Sequence, residues 1–278
     1  MERNIAKYFG LSVPNGLIAS SGGEIIKMVI WKAIALMLLG AFLALAALYG
    51  WFLLDRRDSQ QLYVLTHGCG DIRQHPDDSL AKCAELLERY PARRAEAFFG
   101  RGQAYFRKGD YDRAIIEFSQ AIDLDAGKAI YYWWRAMAYE EKGDTDRAIE
   151  GYDLSIRLDS GNALYFRSRG QARWNKRDFE RALVDFDDAI RLEPNREITY
   201  YFRARAHALR RNWDGAIADW DTIIQLQPRE ATAYYQRGNA YAEKRDYERA
   251  QADWRKALAI DPSLAGAKQN LKRLGVDP

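Results

Sequence analysis

Between Ala95 and Leu264 the chain repeats one pattern five times at a spacing of 34 residues. When segments starting at Ala95, Ala129, Ala163, Glu197 and Ala231 are aligned, their columns agree. The fourth position is aromatic in every copy: Phe98, Tyr132, Phe166, Tyr200 and Tyr234. The eighth is Gly or Ala: Gly102, Ala136, Gly170, Ala204 and Gly238. The twentieth is always Ala (Ala114, Ala148, Ala182, Ala216, Ala250), and the twenty-fourth is again aromatic (Phe118, Tyr152, Phe186, Trp220, Trp254). A fixed period of this length demands a solenoid, because a unit so short cannot bury its apolar faces except against its neighbours.

One copy, 163–196, shows what the unit is. Leu164, Phe166, Gly170 and Trp174 recur at three- and four-residue steps, which predicts a first helix ending near Lys176. Asp178 is placed as an N-cap, its carboxylate accepting from the free amides of the next turn. A second helix follows, with Phe179, Ala182, Leu183, Phe186, Ala189 and Ile190 on its buried face. Pro194 stops it, since proline cannot continue the hydrogen-bond ladder. Two such helices joined by a short turn make an antiparallel hairpin. Gly170 and Ala182 are expected to face each other where the helices cross, with Phe166 and Phe186 filling the space toward the next copy.

The pattern resembles the tetratricopeptide repeat. To the columns above it adds Tyr at position 11 (Tyr105, Tyr139, Tyr241), Ala at 27 (Ala121, Ala189, Ala257) and Pro at 32 (Pro194, Pro228, Pro262). Departures are Arg173 and His207 at position 11, Ile223 at 27, and Ala126 and Ser160 where Pro is usual. The resemblance implies an all-α, right-handed α-solenoid of stacked antiparallel helix pairs, with repeats at 95–128, 129–162, 163–196, 197–230 and 231–264. It also implies a concave groove lined by first helices at positions 2, 5, 9, 12 and 13. Position 5 supplies Phe99, Trp133, Arg167, Tyr201 and Tyr235. Position 9 supplies Gln103, Met137, Gln171, Arg205 and Asn239, and position 12 supplies Phe106, Glu140 and Trp174. Rigid aromatics with arginine and amides suit a peptide or protein partner. The alternative is that half of these aromatics pack against adjacent first helices. The version of the repeat that grips a chaperone's C-terminal carboxylate uses Lys and Asn in the groove. Phe99 and Gln103 stand at positions 5 and 9 of the first repeat, so that clamp is not expected.

Position 7, commonly Leu in the family, is Arg in every copy: Arg101, Arg135, Arg169, Arg203 and Arg237. Position 23 is acidic in four: Glu117, Asp185, Asp219 and Asp253. The columns predict a ladder of Arg–carboxylate pairs between helices, fixing register more than adding net stability. A solvated row of arginines is the alternative.

The flanks add other constraints. Residues 1–27 lack periodicity and read as an N-terminal tail, with turns at Pro14-Asn15-Gly16 and Ser20–Gly23. Residues 28–54 are expected to form one transmembrane helix. Its core, Ala33–Leu54, is 22 residues without a charge, about 33 Å as a helix and enough to cross a hydrocarbon layer of about 30 Å. Trp31 and Trp51 stand near its ends, where indoles prefer the headgroup level. A cleaved signal peptide would have a shorter apolar region and a small-x-small site, which Tyr49-Gly50-Trp51-Phe52 does not provide. Arg3, Lys7, Lys27 and Lys32 outnumber Arg56, Arg57 and Arg73 on the far side, which places the amino end in the cytoplasm. The repeats would then lie in the periplasm of a bacterium, anchored to its inner membrane.

Residues 55–94 read as a linker and a degenerate half repeat, with Leu80, Cys83, Ala84 and Leu87 on one helical face closed by Pro91. Its first-helix partner falls over Gly68 and Gly70, where the pattern fails. Cys69 and Cys83 are candidates for a disulfide worth about 3 kcal/mol by loop closure, or for two unpaired thiols. An oxidising space favours the disulfide. Residues 265–278, with Ala267, Leu271 and Leu274 among basic side chains, read as a capping helix.

A formal charge of +3, from 42 basic and 39 acidic residues, gives no basic patch for nucleic acid. Nucleophile-elbow, phosphate-loop and zinc-hydrolase motifs are missing, so neither enzyme, metal nor cofactor is expected. The expectation is a membrane-anchored scaffold or adaptor with a protein or peptide in its groove. The alternative is a structural envelope protein that self-assembles into a homo-oligomer.

Overall fold

The computed structural model describes residues 58–71 and 73–277, together with Lys32, Met37, Gly40, Leu43, Leu45 and Arg56. The chain divides into two compact units, Met1–Tyr63 and Val64–Pro278. The expected tail (1–27) and most of the expected membrane helix (28–54) lie outside the described residues. Among those described, no helix is long and apolar enough to cross a membrane.

Among the described residues of the second unit, helices joined by short turns are the regular structure. Residues 64–69 are helical. They are followed by α1 (Pro76–Arg89), a short 3-10 turn (Pro91–Arg93) and α2 (Arg94–Arg107). Then come α3 (Tyr111–Leu124), α4 (Ala129–Glu141), α5 (Thr145–Leu158) and α6 (Ala163–Asn175). Next are α7 (Phe179–Leu192), α8 (Glu197–Leu209) and α9 (Trp213–Leu226). Last are α10 (Ala231–Glu243), α11 (Tyr247–Ile260) and α12 (Ala265–Arg273). Each helix packs chiefly on its neighbours in sequence, so the core is a stack of local hairpins rather than one central mass.

Side chains start each second helix where the periodicity predicts. Asp178 accepts from the Arg181 amide at 3.3 Å, and Asp110, Asp144, Asn212 and Asp246 cap α3, α5, α9 and α11 in the same way. The turn before each cap passes through the left-handed region, at Gly109 and Gly143 but also at Arg177, Arg211 and Arg245, with φ of 64°, 59° and 63°. Glycine adopts that conformation freely, whereas arginine there is strained.

At the helix crossing a methyl group on Gly170 would stand 2.7 Å from the Phe186 ring and 3.1 Å from Asp185 Cβ, so these two residues are its nearest neighbours across the hairpin. Gly102 lies against Phe118, and Gly238 lies against Trp254 and the carbonyl of Ala250, the residue at position 20. In the second and fourth repeats the small residue at position 8 shares a core cluster with the alanine at position 20, Ala136 with Ala148 and Ala204 with Ala216. Position 20 lies one turn away from position 24 on the same stripe. Ala182 is buried in a cluster with Leu183, Phe186 and, from α8, Ala206 and Phe202. Phe186 stacks on Phe202 with centroids 6.0 Å apart, which fills the gap to the next repeat as expected.

The arginine column forms a ladder. Arg101 pairs with Glu117 at 2.8 Å, Arg169 with Asp185 at 2.6 Å, Arg203 with Asp219 at 2.5 Å and Arg237 with Asp253 at 2.7 Å. Three of these arginines also reach back one repeat, to Asp153, Asp187 and Asp221, and so tie neighbouring hairpins together. The second repeat is the exception. Gly151 replaces the acid and lies against Ala136, and Arg135 donates to Ser119 Oγ at 3.2 Å instead. A second, exposed ladder links consecutive repeats through Lys108–Asp77, Lys142–Asp112, Lys176–Asp146, Arg210–Glu180 and Lys244–Asp214.

At the amino end, glycines that read as breaks in the pattern serve close packing. Gly68 is helical and lies against Lys82 of α1. Cys69 and Cys83 are joined by a disulfide, both buried, with Cα atoms 4.6 Å apart. Gly100 of α2 touches the Cys69 sulfur and carbonyl, and a methyl group there would stand 2.5 Å from the sulfur. The disulfide therefore presses on the first repeat. At the other end α12 buries Ala267 and Leu271 against Ala250 and Trp254.

Candidate partner-binding groove

The first helices of the repeats, α2, α4, α6, α8 and α10, carry the predicted groove residues, which fall into three groups. The first group is absorbed into packing at the amino end. Phe99 sits 4.7 Å from Tyr131 and 5.8 Å from Phe118, and Phe106 sits 5.4 Å from Trp134 and 5.3 Å from Tyr111. Gln103 is buried, with its Oε1 against Gly70. Met137 is half-buried beside Ala136 and Tyr152.

The second group is taken up by α12. A methyl group on Gly266 would stand 2.5 Å from the Tyr235 hydroxyl. Asn239 Oδ1 accepts from Trp254 Nε1 at 3.0 Å and from Asn270 Nδ2 at 2.9 Å. Sequence reasoning missed this cover. Its only signal was Asn270, a polar residue inside a helix expected to do no more than cap.

The third group, in the middle of the stack, is left half-exposed: Trp133, Arg167, Gln171, Trp174, Tyr201 and Arg205. Trp133 Nε1 donates to Ser168 Oγ at 2.9 Å, which fixes the indole across two repeats. Arg167 donates to Glu193 at 3.4 Å, while burial pushes its pKa down from the usual arginine value. It lines an open depression of about 660 Å3 with Asn162, Leu164, Leu192 and Arg196. Arg196 had no place in the sequence prediction because it lies in the turn between repeats. Arg205 stands 4.8 Å over the Trp174 ring and 5.6 Å from that of Tyr201. Glu140 accepts from Tyr152 Oη at 2.8 Å and from Asn175 Nδ2 at 3.2 Å; burial raises its pKa and these bonds oppose the rise. Among the described residues no cluster of His, Cys, Asp or Glu is arranged to hold a metal.

This stack of capped hairpins agrees with what family comparison finds. Models of the tetratricopeptide repeat match residues 129–162, 167–223 and 231–264, and a TPR repeat model matches 102–143, together more than half of the chain. The chain is a tetratricopeptide repeat protein. No curated protein matches it. Among solved structures, it is 24% identical to MamA, covering 59% of this chain and 96% of that one with a TM-score of 0.56. YrrB, described as a TPR protein with an unusual peptide-binding site, is 21% identical over 68% of this chain and 97% of its own, with a TM-score of 0.60. The C-terminal part of a TPR repeat-containing protein from Cytophaga hutchinsonii is 23% identical over 70% and 81%, with a TM-score of 0.61. At these identities the likeness is one of fold.

Proposed function

We propose that this tetratricopeptide repeat protein is a non-catalytic adaptor that holds an extended segment of a partner protein on the concave face of its middle repeats. The observation that carries the reading is the difference between the middle of the predicted groove and its ends. Phe99 and Phe106 are consumed by packing, and Tyr235 and Asn239 are engaged by α12. Trp133, Trp174 and Tyr201 also touch neighbouring rings, those of Trp134, Phe179 and Trp220, but they stay half-exposed beside Gln171 and Arg205, whose side chains have no hydrogen bond among the described residues. Half-exposed, positioned aromatics beside amides and arginine match the composition of interface hot spots. The printed description of YrrB as having a peptide-binding site is in keeping with this reading. The apolar run Ala33–Leu54 sets the adaptor beside a membrane, and the charge asymmetry around that run points the repeats into the periplasm.

A photo-crosslinking residue at Gln171 tests the groove against one at Val184, an exposed position on α7. Crosslinking in cells to one discrete partner from Gln171 but not from Val184 is the expected result. Capture only from Val184 defeats the reading, and capture only of further copies of the chain replaces it with self-assembly. A cysteine placed at the exposed position 184 (Val184→Cys) tests the location. Labelling by a membrane-impermeant reagent in intact cells is expected, and labelling only after lysis refutes a periplasmic domain.

A further inference from the structure

The arginines of this solenoid are mostly spoken for. Four of the five position-7 arginines face carboxylates and Arg135 donates to Ser119, while Arg173 donates to Asp185 at 2.9 Å and Arg167 reaches Glu193. Arg205 differs. Its guanidinium lies over Trp174 and beside Tyr201, and it has no hydrogen bond or ion pair among the described residues. Contact with rings positions a guanidinium but satisfies none of its five N–H donors, which here stay unspent. A second observation lies alongside. Trp174 Nε1 is buried without an acceptor, whereas Trp133 Nε1 has Ser168 and Trp254 Nε1 has Asn239. A buried donor left unmet carries a desolvation cost and asks for a structural or functional reason. One stack thus holds an unpaired cation next to an indole whose buried donor is unmet.

We propose that Arg205, held by Trp174 and Tyr201, is the receptor for an aspartate or glutamate side chain of the bound segment; this rests on the groove reading above. The pairing of the neighbouring charges points to a carboxylate. Arg167, in the neighbouring repeat, is already matched by Glu193, and Glu140 is occupied by Tyr152 and Asn175. The unspent positive charge of Arg205 therefore meets a negative one, and the two oxygens of a carboxylate suit the fork of guanidinium donors. Apolar residues of the segment flank the acid, toward Trp133 on one side and Tyr201 on the other. The cover of Tyr235 and Asn239 by α12 limits the segment's run at the carboxyl end.

Phage-displayed random twelve-residue peptides, joined to the coat protein through their carboxyl ends, offer side-chain carboxylates only. Selection on the full-length chain in detergent is expected to enrich peptides with one fixed acidic position among apolar ones. Arg205→Glu should abolish that preference, and Arg205→Lys should keep it in weakened form. For one enriched peptide, anisotropy should show an affinity loss of about tenfold or more with Arg205→Glu. The amide version of its acidic residue should lose as much on the wild type and no more on Arg205→Glu. Far-UV circular dichroism melts that superimpose establish that the variants are folded. Enriched peptides without a fixed acid, or equal binding by Arg205→Glu, overturn the assignment while leaving the groove standing. Failure to enrich any peptide on the wild type overturns the groove reading and this assignment with it.

Discussion

Two rungs of the arginine ladder differ in a way that sets their energetic weights apart. Asp219 has a side chain 3% exposed, and its donor is Arg203, through Nη2 at 2.5 Å and Nε at 3.0 and 3.2 Å. Asp185 is fully buried and receives Arg169 through Nη2 at 2.6 Å, but it also receives Arg173 Nη1 at 2.9 Å. Arg203→Met keeps the aliphatic stem and removes every donor to Asp219, stranding a buried carboxylate. Breaking a buried pair in this way costs about 3–5 kcal/mol. Arg169→Met leaves Asp185 with Arg173, so the loss is that of charged hydrogen bonds, about 2 kcal/mol. The outer partners Asp187 and Asp153 stay partly exposed to water and add little to either loss. For a unit spanning Val64–Pro278, each kcal/mol moves the midpoint by about 2–4 °C, so Tm should fall about 10 °C for Arg203→Met and about half that for Arg169→Met. Urea unfolding followed by circular dichroism measures both, and hydrogen exchange should place the weakening in α8 and α9. Replacing both members, Arg203→Met with Asp219→Leu, should recover most of the loss, because the cost lies in the stranded charge. Equal losses at the two rungs, or a loss below about 1 kcal/mol at Arg203, would refute the reasoning.

Two further outcomes follow from local features. Arg211 sits at φ 59° in an exposed turn where the first two repeats have glycine, so Arg211→Gly should add about 0.5–1 kcal/mol of stability, read as a higher urea midpoint; a lowered midpoint contradicts the strain. Burial holds the His207 pKa below its ordinary 6.5, with Asp219 and Asp187 opposing the shift and Arg203 and Arg210 assisting it. With the folded value depressed, this group's contribution is present above pH 6.5 and is lost as pH falls through the folded value, so stability declines on acidification over that window. His207→Gln should flatten that slope, and a slope that persists unchanged assigns it elsewhere.

The hairpin was readable in the sequence because each of its signals is local. Asp178 as cap and Pro194 as stop bracket α7, which runs Phe179–Leu192. The contact between helices was less legible. Positions 20 and 24 lie on one stripe, about 6 Å apart along the axis, and the turn's exact path decides which of them lies nearest the small residue at position 8. The first rung of the ladder, Arg169 to Asp185, appears as two columns within one repeat. The second rung, Arg169 to Asp153, joins different repeats and exists only once the stack is formed. His207 and Arg173 read as blemishes at position 11, yet they mark where the interior charge changes. Elsewhere that position is a tyrosine under an arginine, as in Tyr105 below Arg113 at 4.7 Å. Where Arg173 stands, its guanidinium turns inward to Asp185 instead.

The same distinction decides what the groove residues mean. Position 5 or 9 on a first helix states which way a side chain faces, but not whether a neighbour takes it up. Phe99 is taken up by Tyr131 and Asn239 by Asn270, each a residue from another hairpin that no single repeat contains. Arg205 carries the same kind of positional signal and meets rings on its faces with nothing at its edge. Its position-7 neighbour Arg203, two residues earlier on the same helix, meets two carboxylates. A guanidinium's planar geometry is identical in both, so the difference lies in what the stack supplies. Where the stack supplies acids, arginine locks register; where it supplies only rings, the unspent donors remain for whatever enters from outside.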